Sequence, residues 1–336
     1  MRSLSTFGLI LAAICLSCSG GGPAEVAPTE VPEPTTLVVY TVNYPLAYFA
    51  ERIGGDRVEV TLPVPPGVDP AHWTPTADVV EKFQRADLII LNGADYAKWV
   101  SYATLPLSKV VDTSATISDR WIALEDAVTH SHGPDGEHAH GGWANITWLD
   151  PTLAIEQARS IEAALISRLP GSQAVITEQT DDLVAELEAL DARLATAAVV
   201  VGEEPLLFSH PVYQYLIARY GLNAIELHWE PDVPPDGPAW DHLGEAMEEH
   251  PAQWLVWEAE PLPTTASMLE ERGMASVVFR TCANVPASGE YLTVMATNAE
   301  ALETIAAALT PEVETVEAEG TEAEPEEGVA VEAEGE

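Results

Sequence analysis

Histidine is the residue type on which most of the predicted chemistry of this chain depends. Four of the nine histidines, at positions 130, 132, 138 and 140, fall in the segment THSHGPDGEHAHGG at 129–142. Glycine and proline surround them, so we predict a loop rather than a helix face. Neutral imidazoles are good zinc ligands and exchange a metal quickly near neutral pH. Four imidazoles on one segment are candidate metal ligands, with an extended linker of no binding role as the alternative.

Two further histidines stand where a strand is expected to end and a helix to begin. His72 lies in DPAHWTPT, which follows a short apolar run and precedes a helical pattern. His210 lies in LLFSHPVYQYLIARYGL, again after an apolar run and before a helical pattern. Open α/β sheets bind ligands at the carboxyl ends of their strands, which makes both residues candidate metal ligands. The histidines at 228, 242 and 250 lie in polar segments without paired spacing, and we assign them no ligand role.

The elements that must position these side chains alternate between strand and helix patterns. Eight short apolar, β-branched runs are predicted as strands, in two sets of four: 37–43, 58–64, 88–92 and 109–112, then 198–202, 223–227, 254–257 and 276–279. Helical patterns separate the runs, and such alternation indicates mostly parallel sheets covered by helices on both faces. The fold class predicted is therefore α/β with two lobes.

A long helical region between the two sets is expected to join the lobes. It runs from Pro151 to Ala197 and is broken at Pro170-Gly171. Its second half places leucines at 183, 187, 190 and 194, which is the spacing of one apolar helix stripe. This pattern predicts a stiff connection at 171–197 that leaves little room for wide hinge closure.

The two ends of the chain differ in composition from the middle. Residues 1–18 combine a short apolar run with CLSC, and we predict a secretory signal with a lipobox whose lipidated residue is Cys18. Plain signal cleavage near the same place is the alternative. Residues 19–36 are expected to form a disordered tether, and residues 311–336 a disordered acidic tail. We therefore expect an extracytoplasmic protein, either anchored to the bacterial membrane by lipid or periplasmic.

The charge of the chain excludes one large class of partners. Acidic residues number 54 against 14 lysines and arginines, which gives a formal net charge of −40. Such a surface repels nucleic acid, whereas a cationic ligand fits its sign.

Taken together, DPAHWTPT, ADLIILNG, WLDP, SHPVYQYLIARYGL and EYLTVMATNAEAL resemble the ZnuA-like zinc- and manganese-binding family of ABC-transporter solute-binding proteins. The resemblance covers about residues 37–308. It implies two lobes joined by one long rigid helix, one divalent metal in the cleft between them, and delivery of that metal to a membrane permease. The implied lobes are residues 37–170, with the histidine-rich loop, and residues 198–310, and a monomer is expected.

The resemblance also implies which side chains hold the metal. His72 matches the first histidine ligand of the family and His210 matches the third. The second family ligand would stand at Ile146, which cannot ligate. We therefore expect a loop histidine to replace it, His140 first and His138 as the alternative.

The fourth ligand departs from the family pattern. Arg280 stands where the family commonly has an aspartate, and an arginine does not ligate a cation. Glu258 is our first choice for the missing oxygen. The alternatives are Glu260, Glu204 and a water molecule, with the thiol of Cys282 as a further possibility.

Three imidazoles and one oxygen favour zinc over manganese, which prefers more carboxylate oxygens. The function expected is extracytoplasmic capture of zinc for an importer, without enzyme activity. One alternative is a zinc-buffering or adhesion-type surface lipoprotein. Another is a zinc-dependent hydrolase, although the chain has no HExxH or GxSxG motif.

Overall fold

The computed structural model describes residues 36–131 and 137–310, and within 125–131 and 137–141 it describes the backbone only. Strands and helices alternate, as the sequence pattern predicted, and seven of the eight predicted strands are present. The strands are β1 (Leu37–Thr41), β2 (Val58–Thr61), β3 (Leu88–Leu91), β4 (Val110–Asp112), β5 (Ala123–Ser131), β6 (Glu137–Trp143), β7 (Leu206–Phe208), β8 (Ala224–Glu226), β9 (Trp254–Trp257) and β10 (Ala275–Val278). The helices are α1 (Tyr44–Gly54), α2 (Ala77–Arg85), α3 (Pro151–Arg168), α4 (Gln173–Val201), α5 (Gln214–Tyr220), α6 (Gly237–Glu249), α7 (Pro263–Glu270) and α8 (Tyr291–Leu309).

Two four-stranded parallel sheets form the two lobes, and they share one topology. The first has the order β2-β1-β3-β4 and the second the order β10-β9-β7-β8. When the four strands of each lobe are counted in chain order, both sheets have the spatial order second, first, third, fourth; the second sheet is then read from β8 to β10. All strands of a sheet end at the same edge, so the loops after the strands of one lobe gather together. The predicted fold class is confirmed.

The helix α4 joins the lobes and corrects one predicted strand. Residues 198–202 were expected to be a strand, but α4 continues to Val201, and the strand is β7. The run is helical because its buried residues continue the helical spacing: Ala198 and Val201 are buried, whereas Val199 is 81% exposed. Gly202 ends the helix with φ 55° and donates its N–H to the carbonyl of Ala198.

A continuous apolar core runs between the two sheets along α4. Leu183, Leu187, Leu190 and Leu194 of the predicted stripe are all buried. They belong to one cluster that also contains Val39 of the first sheet and Leu206 of the second. The helices α3 and α8 pack along α4. Since an apolar core resists sliding, the lobes are held as one body.

The histidine-rich segment is not the irregular loop that was expected. Its described backbone forms an antiparallel pair of strands, β5 and β6, in which His130 pairs with His138 and Val128 pairs with His140.

Among the described residues, none of the helices combines the length and the apolar content that crossing a lipid bilayer requires.

Candidate metal centre

Three side chains from the second sheet meet at the carboxyl ends of neighbouring strands. His210 follows β7, Glu230 follows β8, and Glu258 follows β9. Because β7 lies between β8 and β9, His210 stands between the segments that carry the two carboxylates. The backbone fixes this arrangement: Ser209 donates its N–H to Val256, and its carbonyl accepts from Trp229, at 2.8 and 2.7 Å.

One nitrogen of His210 and one oxygen each of Glu230 and Glu258 lie within 4.8 Å of one another. Nδ1 of His210 is 3.7 Å from Oε1 of Glu230. His210 is only 3% exposed, and both glutamates are half-buried. An imidazole and two carboxylates at this spacing are a donor set that suits a divalent cation. Glu258 and His210, both expected from the sequence, are thus brought together.

The surroundings of this cluster are acidic and partly apolar. Burial, with the carboxylates of Glu258 and Glu226 adding to it, raises the pKa of Tyr213 well above its ordinary value. The neutral phenol donates to the carbonyl of Phe279 at 2.8 Å. The ring of His228 lies at right angles to that of His210, with centroids 6.1 Å apart. The negative charge favours a bound cation here, and a low dielectric strengthens that attraction.

Sequence reasoning missed Glu230. It treated the residues after β8 only as a polar segment with His228, although Glu230 also follows a predicted strand. The signal that would have found Glu230 is its position after a predicted strand, which is the argument that selected His72 and His210.

His72 lies in the other lobe, in the loop between β2 and α2. Its Nε2 is 3.8 Å from Oδ2 of Asp69, and its side chain is 29% exposed. His72 is not one of the donors that lie within 4.8 Å of one another in the described part of the chain. It lines an open cavity of about 520 Å³, which Trp73, Lys98 and Trp99 also line. His72 therefore faces an open cavity rather than the core.

Arg280, the departure from the family pattern, is paired with a carboxylate. Its Nη2 is 2.9 Å from Oε1 of Glu260, one of the alternative ligands. The side chain of the buried Asn298 accepts from the N–H of Arg280 and donates to its carbonyl, each at 2.8 Å. The backbone after β10 is thereby fixed, and the positive charge of Arg280 is partly neutralised.

The other residues considered as ligands stand apart from this donor set. Burial raises the pKa of the Cys282 thiol to about 12, so the thiol stays protonated near neutral pH and is a poor ligand. Ile146, at the place of the second family histidine, is buried in the core. Glu204 lies just beyond α4 and outside the cluster. The side chains of His138 and His140, and Cys18, lie outside the described residues.

The two lobes meet along the segment that follows β10. The carbonyl of Thr281 accepts from the Trp148 indole at 2.7 Å, and that of Ala283 accepts from Tyr44 at 2.9 Å. Asn284 donates to the first lobe as well. The carboxyl edges of the two sheets therefore face the same seam.

Two parallel α/β lobes joined by a long helix, with a donor set that suits a divalent cation in the second lobe, define a two-lobed α/β protein with a candidate metal centre. The family described as zinc-uptake complex component A, periplasmic, matches residues 39–305. The chain belongs to this family, ZnuA, and the resemblance read from the sequence is confirmed.

Similar proteins agree with that assignment. The high-affinity zinc uptake system protein ZnuA of Bacillus subtilis is 26% identical over 304 residues, 87% of this chain and 93% of that protein. The zinc-binding lipoprotein AdcA of Streptococcus pneumoniae is 25% identical over 95% of this chain. This chain spans 64% of the length of AdcA.

Solved structures show the same fold. The metal-dependent lipoprotein YcdH of Bacillus subtilis superposes with a TM-score of 0.69 at 24% identity, over 80% of this chain and 99% of that one. The Zn(II)-bound ZnuA-like domain of Streptococcus pneumoniae AdcA superposes with a TM-score of 0.67 at 20% identity, over 81% of this chain and 99% of that domain.

Proposed function

We propose that this protein captures one divalent metal ion, zinc in the first place, and delivers it to the permease of an ABC importer. The observation that carries the proposal is the convergence of His210, Glu230 and Glu258 at the carboxyl ends of neighbouring strands. Membership of the zinc-uptake family supports zinc as the cargo, and the names of the relatives agree. Manganese is the alternative, because two carboxylates in the set increase its oxygen content.

The ligand set that we propose combines both lobes. His210 and Glu258 supply a nitrogen and an oxygen from the second lobe, with Glu230 beside them. His72 supplies a second nitrogen from the first lobe, and His140, or else His138, supplies a third. Zinc accepts such mixed nitrogen and oxygen sets in tetrahedral geometry.

The proposal also covers where the protein is held in the cell, and this part depends on residues 1–36. Lipid on Cys18, with residues 19–36 as a tether, would hold residues 37–310 outside the cytoplasm and beside the membrane. Anchoring raises the effective concentration of the protein at its permease. Cleavage of the signal without lipidation would leave the same protein free in the periplasm. Mass spectrometry of the mature N-terminus separates the two.

Calorimetric titration of the purified, metal-stripped protein with zinc tests the central claim. We expect one tight site per chain, and loss of at least about 10-fold in affinity in His210→Ala and in Glu258→Gln. His242→Ala and Glu245→Gln are the matched controls, because both side chains are exposed on α6 and stand outside the proposed donor set. Wild-type affinity in both site variants would disprove the proposed centre.

A growth experiment tests the transport role separately from binding. Deleting the gene should cause zinc starvation that excess zinc reverses, and the His210→Ala protein should fail to complement. A deletion strain that grows normally in zinc-poor medium would point instead to a zinc-buffering or adhesion role.

A further inference from the structure

Asn284 links the segment after β10 to the loop of the other lobe that carries His72. Its side-chain amide donates to the carbonyl of Pro65 at 2.7 Å and to that of Val68 at 2.8 Å. Its Oδ1 accepts from the N–H of Val285 at 2.7 Å, which fixes the orientation of the amide. One side chain of the second lobe therefore satisfies two carbonyls of the first.

The turn held by Asn284 leads directly to His72. The N–H of Val68 donates to Pro65 at 3.2 Å and closes the turn. Asp69 follows, and its carboxylate accepts from Ala71 at 2.9 Å while its carbonyl accepts from His72 at 3.3 Å. The chain between the turn and His72 is thus fixed by successive short-range hydrogen bonds, so a shift of the turn moves the imidazole.

The other end of the link is rigid. Asn298 holds both backbone groups of Arg280, and the carbonyls of Thr281 and Ala283 are bonded to Trp148 and Tyr44. Cys282, between them, has φ 56°, a backbone conformation that residues other than glycine rarely adopt. A backbone held by four such bonds is a fixed reference point for the His72 loop.

We propose that Asn284 is a positioning residue for the metal centre: it sets where His72 of one lobe stands relative to the His210, Glu230 and Glu258 donors of the other. This inference rests on the proposed function, since it requires His72 to be a ligand. It accounts for how donors on separate lobes keep one geometry although no covalent segment joins them directly. Groups that orient metal ligands typically contribute about 10- to 100-fold to metal affinity.

The test compares Asn284→Asp with wild type in competition for zinc against a chromophoric chelator. Aspartate has the same shape and still accepts from Val285, but it cannot donate to either carbonyl and adds a repulsive charge. We expect zinc affinity to fall about 10- to 100-fold. Asn223→Asp is the matched control: Asn223 also donates to one carbonyl, that of Glu203 at 2.9 Å, but within its own lobe. Its zinc affinity should change by less than about 3-fold.

A double-mutant cycle with His72→Ala separates positioning from general destabilisation. If Asn284 acts through His72, adding Asn284→Asp to His72→Ala leaves zinc affinity unchanged. The absorption of the Co²⁺-loaded protein should show the same change in ligand field in both single variants. If Asn284→Asp does not fold, the same double-mutant cycle is measured with Asn284→Ser, whose shorter side chain keeps one hydrogen-bond donor.

Two results would overturn the inference while the proposed function stands. One is wild-type affinity in Asn284→Asp together with weakened binding in His72→Ala. The other is an undiminished effect of Asn284→Asp in the His72→Ala background. Wild-type affinity in both His72→Ala and His210→Ala would instead refute the proposed metal centre, and the positioning role would fail with it.

Discussion

Arg280 and Glu260 form an ion pair at the end of the second sheet, with Nη2 2.9 Å from Oε1. The pair stands two residues from Glu258, at a place where the family pattern commonly has an acidic ligand. Arginine at this position does not abolish a cation site, because its charge is directed to Glu260. It does reduce the negative potential that a cation would meet.

Replacing this arginine should strengthen metal binding slightly. In Arg280→Ala the carboxylate of Glu260 loses its partner, and its full negative charge acts on the neighbouring donor set. Both groups are partly exposed, so we expect zinc affinity to rise by only about 2- to 5-fold at low salt. Calorimetry at low and high ionic strength measures the effect, which salt should suppress. Arg272→Ala is the control, because Arg272 lies just beyond the end of α7, with its guanidinium over the Trp240 ring. Weaker binding in Arg280→Ala would mean that Arg280 supports the site.

Glu230 should contribute to metal affinity although sequence reasoning did not select it. Glu230→Gln keeps the shape of the side chain but removes the negative charge that lies 3.7 Å from His210 Nδ1. Loss of a charged donor or of the group that orients an imidazole should weaken zinc binding about 10- to 100-fold. Competition against a chelator measures it, with Asp232→Asn, two residues away and exposed, as control. Equal affinities of the two variants would remove Glu230 from the site.

The contrast between Glu230 and His210 shows what the sequence can and cannot predict. Apolar runs predicted seven of the eight strands of the two parallel sheets, with β7 as the exception. The place of His210 after an apolar run identified it as a candidate, whereas Glu258 was chosen because Arg280 stands where the family commonly has an acidic ligand. Whether two strand ends are neighbours depends on sheet order, and the order β10-β9-β7-β8 is a property of three-dimensional packing. The closeness of Glu230 to His210 therefore could not be derived from spacing along the chain.

The end of α4 shows a second limit. A short run such as AVVVG fits a buried strand and a helix end equally well by composition. The residues before the run determine that it is helical, because the buried positions Leu190 and Leu194 are followed by the buried Ala198 and Val201 at helical spacing. Intrinsic β-propensity of three valines is overridden by the packing of the helix stripe. The paired strands β5 and β6 show the reverse case: glycine and proline led to the prediction of a loop, although the described backbone on both sides is extended and paired.

The stripe on α4 should dominate the stability of the joined lobes. Leu187 is fully buried in the cluster shared by both sheets, and Leu187→Ala should lower the free energy of unfolding by about 2–5 kcal/mol. Val199 on the same helix is 81% exposed, so Val199→Ala should change it by less than about 0.5 kcal/mol. Urea unfolding followed by circular dichroism measures both. A small loss in Leu187→Ala would contradict a continuous core along α4.

The stability of the metal-free protein should depend on pH through Glu226. Burial raises the pKa of this carboxyl from 4.5 to about 7, although it accepts from the N–H of Tyr213 and the amide of Gln214. Between these two values the folded state binds more protons than the unfolded state. The contribution of Glu226 to stability is therefore fully favourable below about pH 4.5 and is lost as pH rises to about 7.

Glu226→Gln should remove that dependence, because glutamine stays neutral and can still accept from Tyr213. We expect the variant to match wild type near pH 5 and to exceed it by about 2 kcal/mol near pH 8, from 1.36 kcal/mol per pKa unit reduced for solvent screening. Urea midpoints across this range give the comparison. Glu245→Gln, exposed on α6, should follow the wild-type curve. Parallel curves for wild type and Glu226→Gln would show that the buried carboxyl does not titrate in this window.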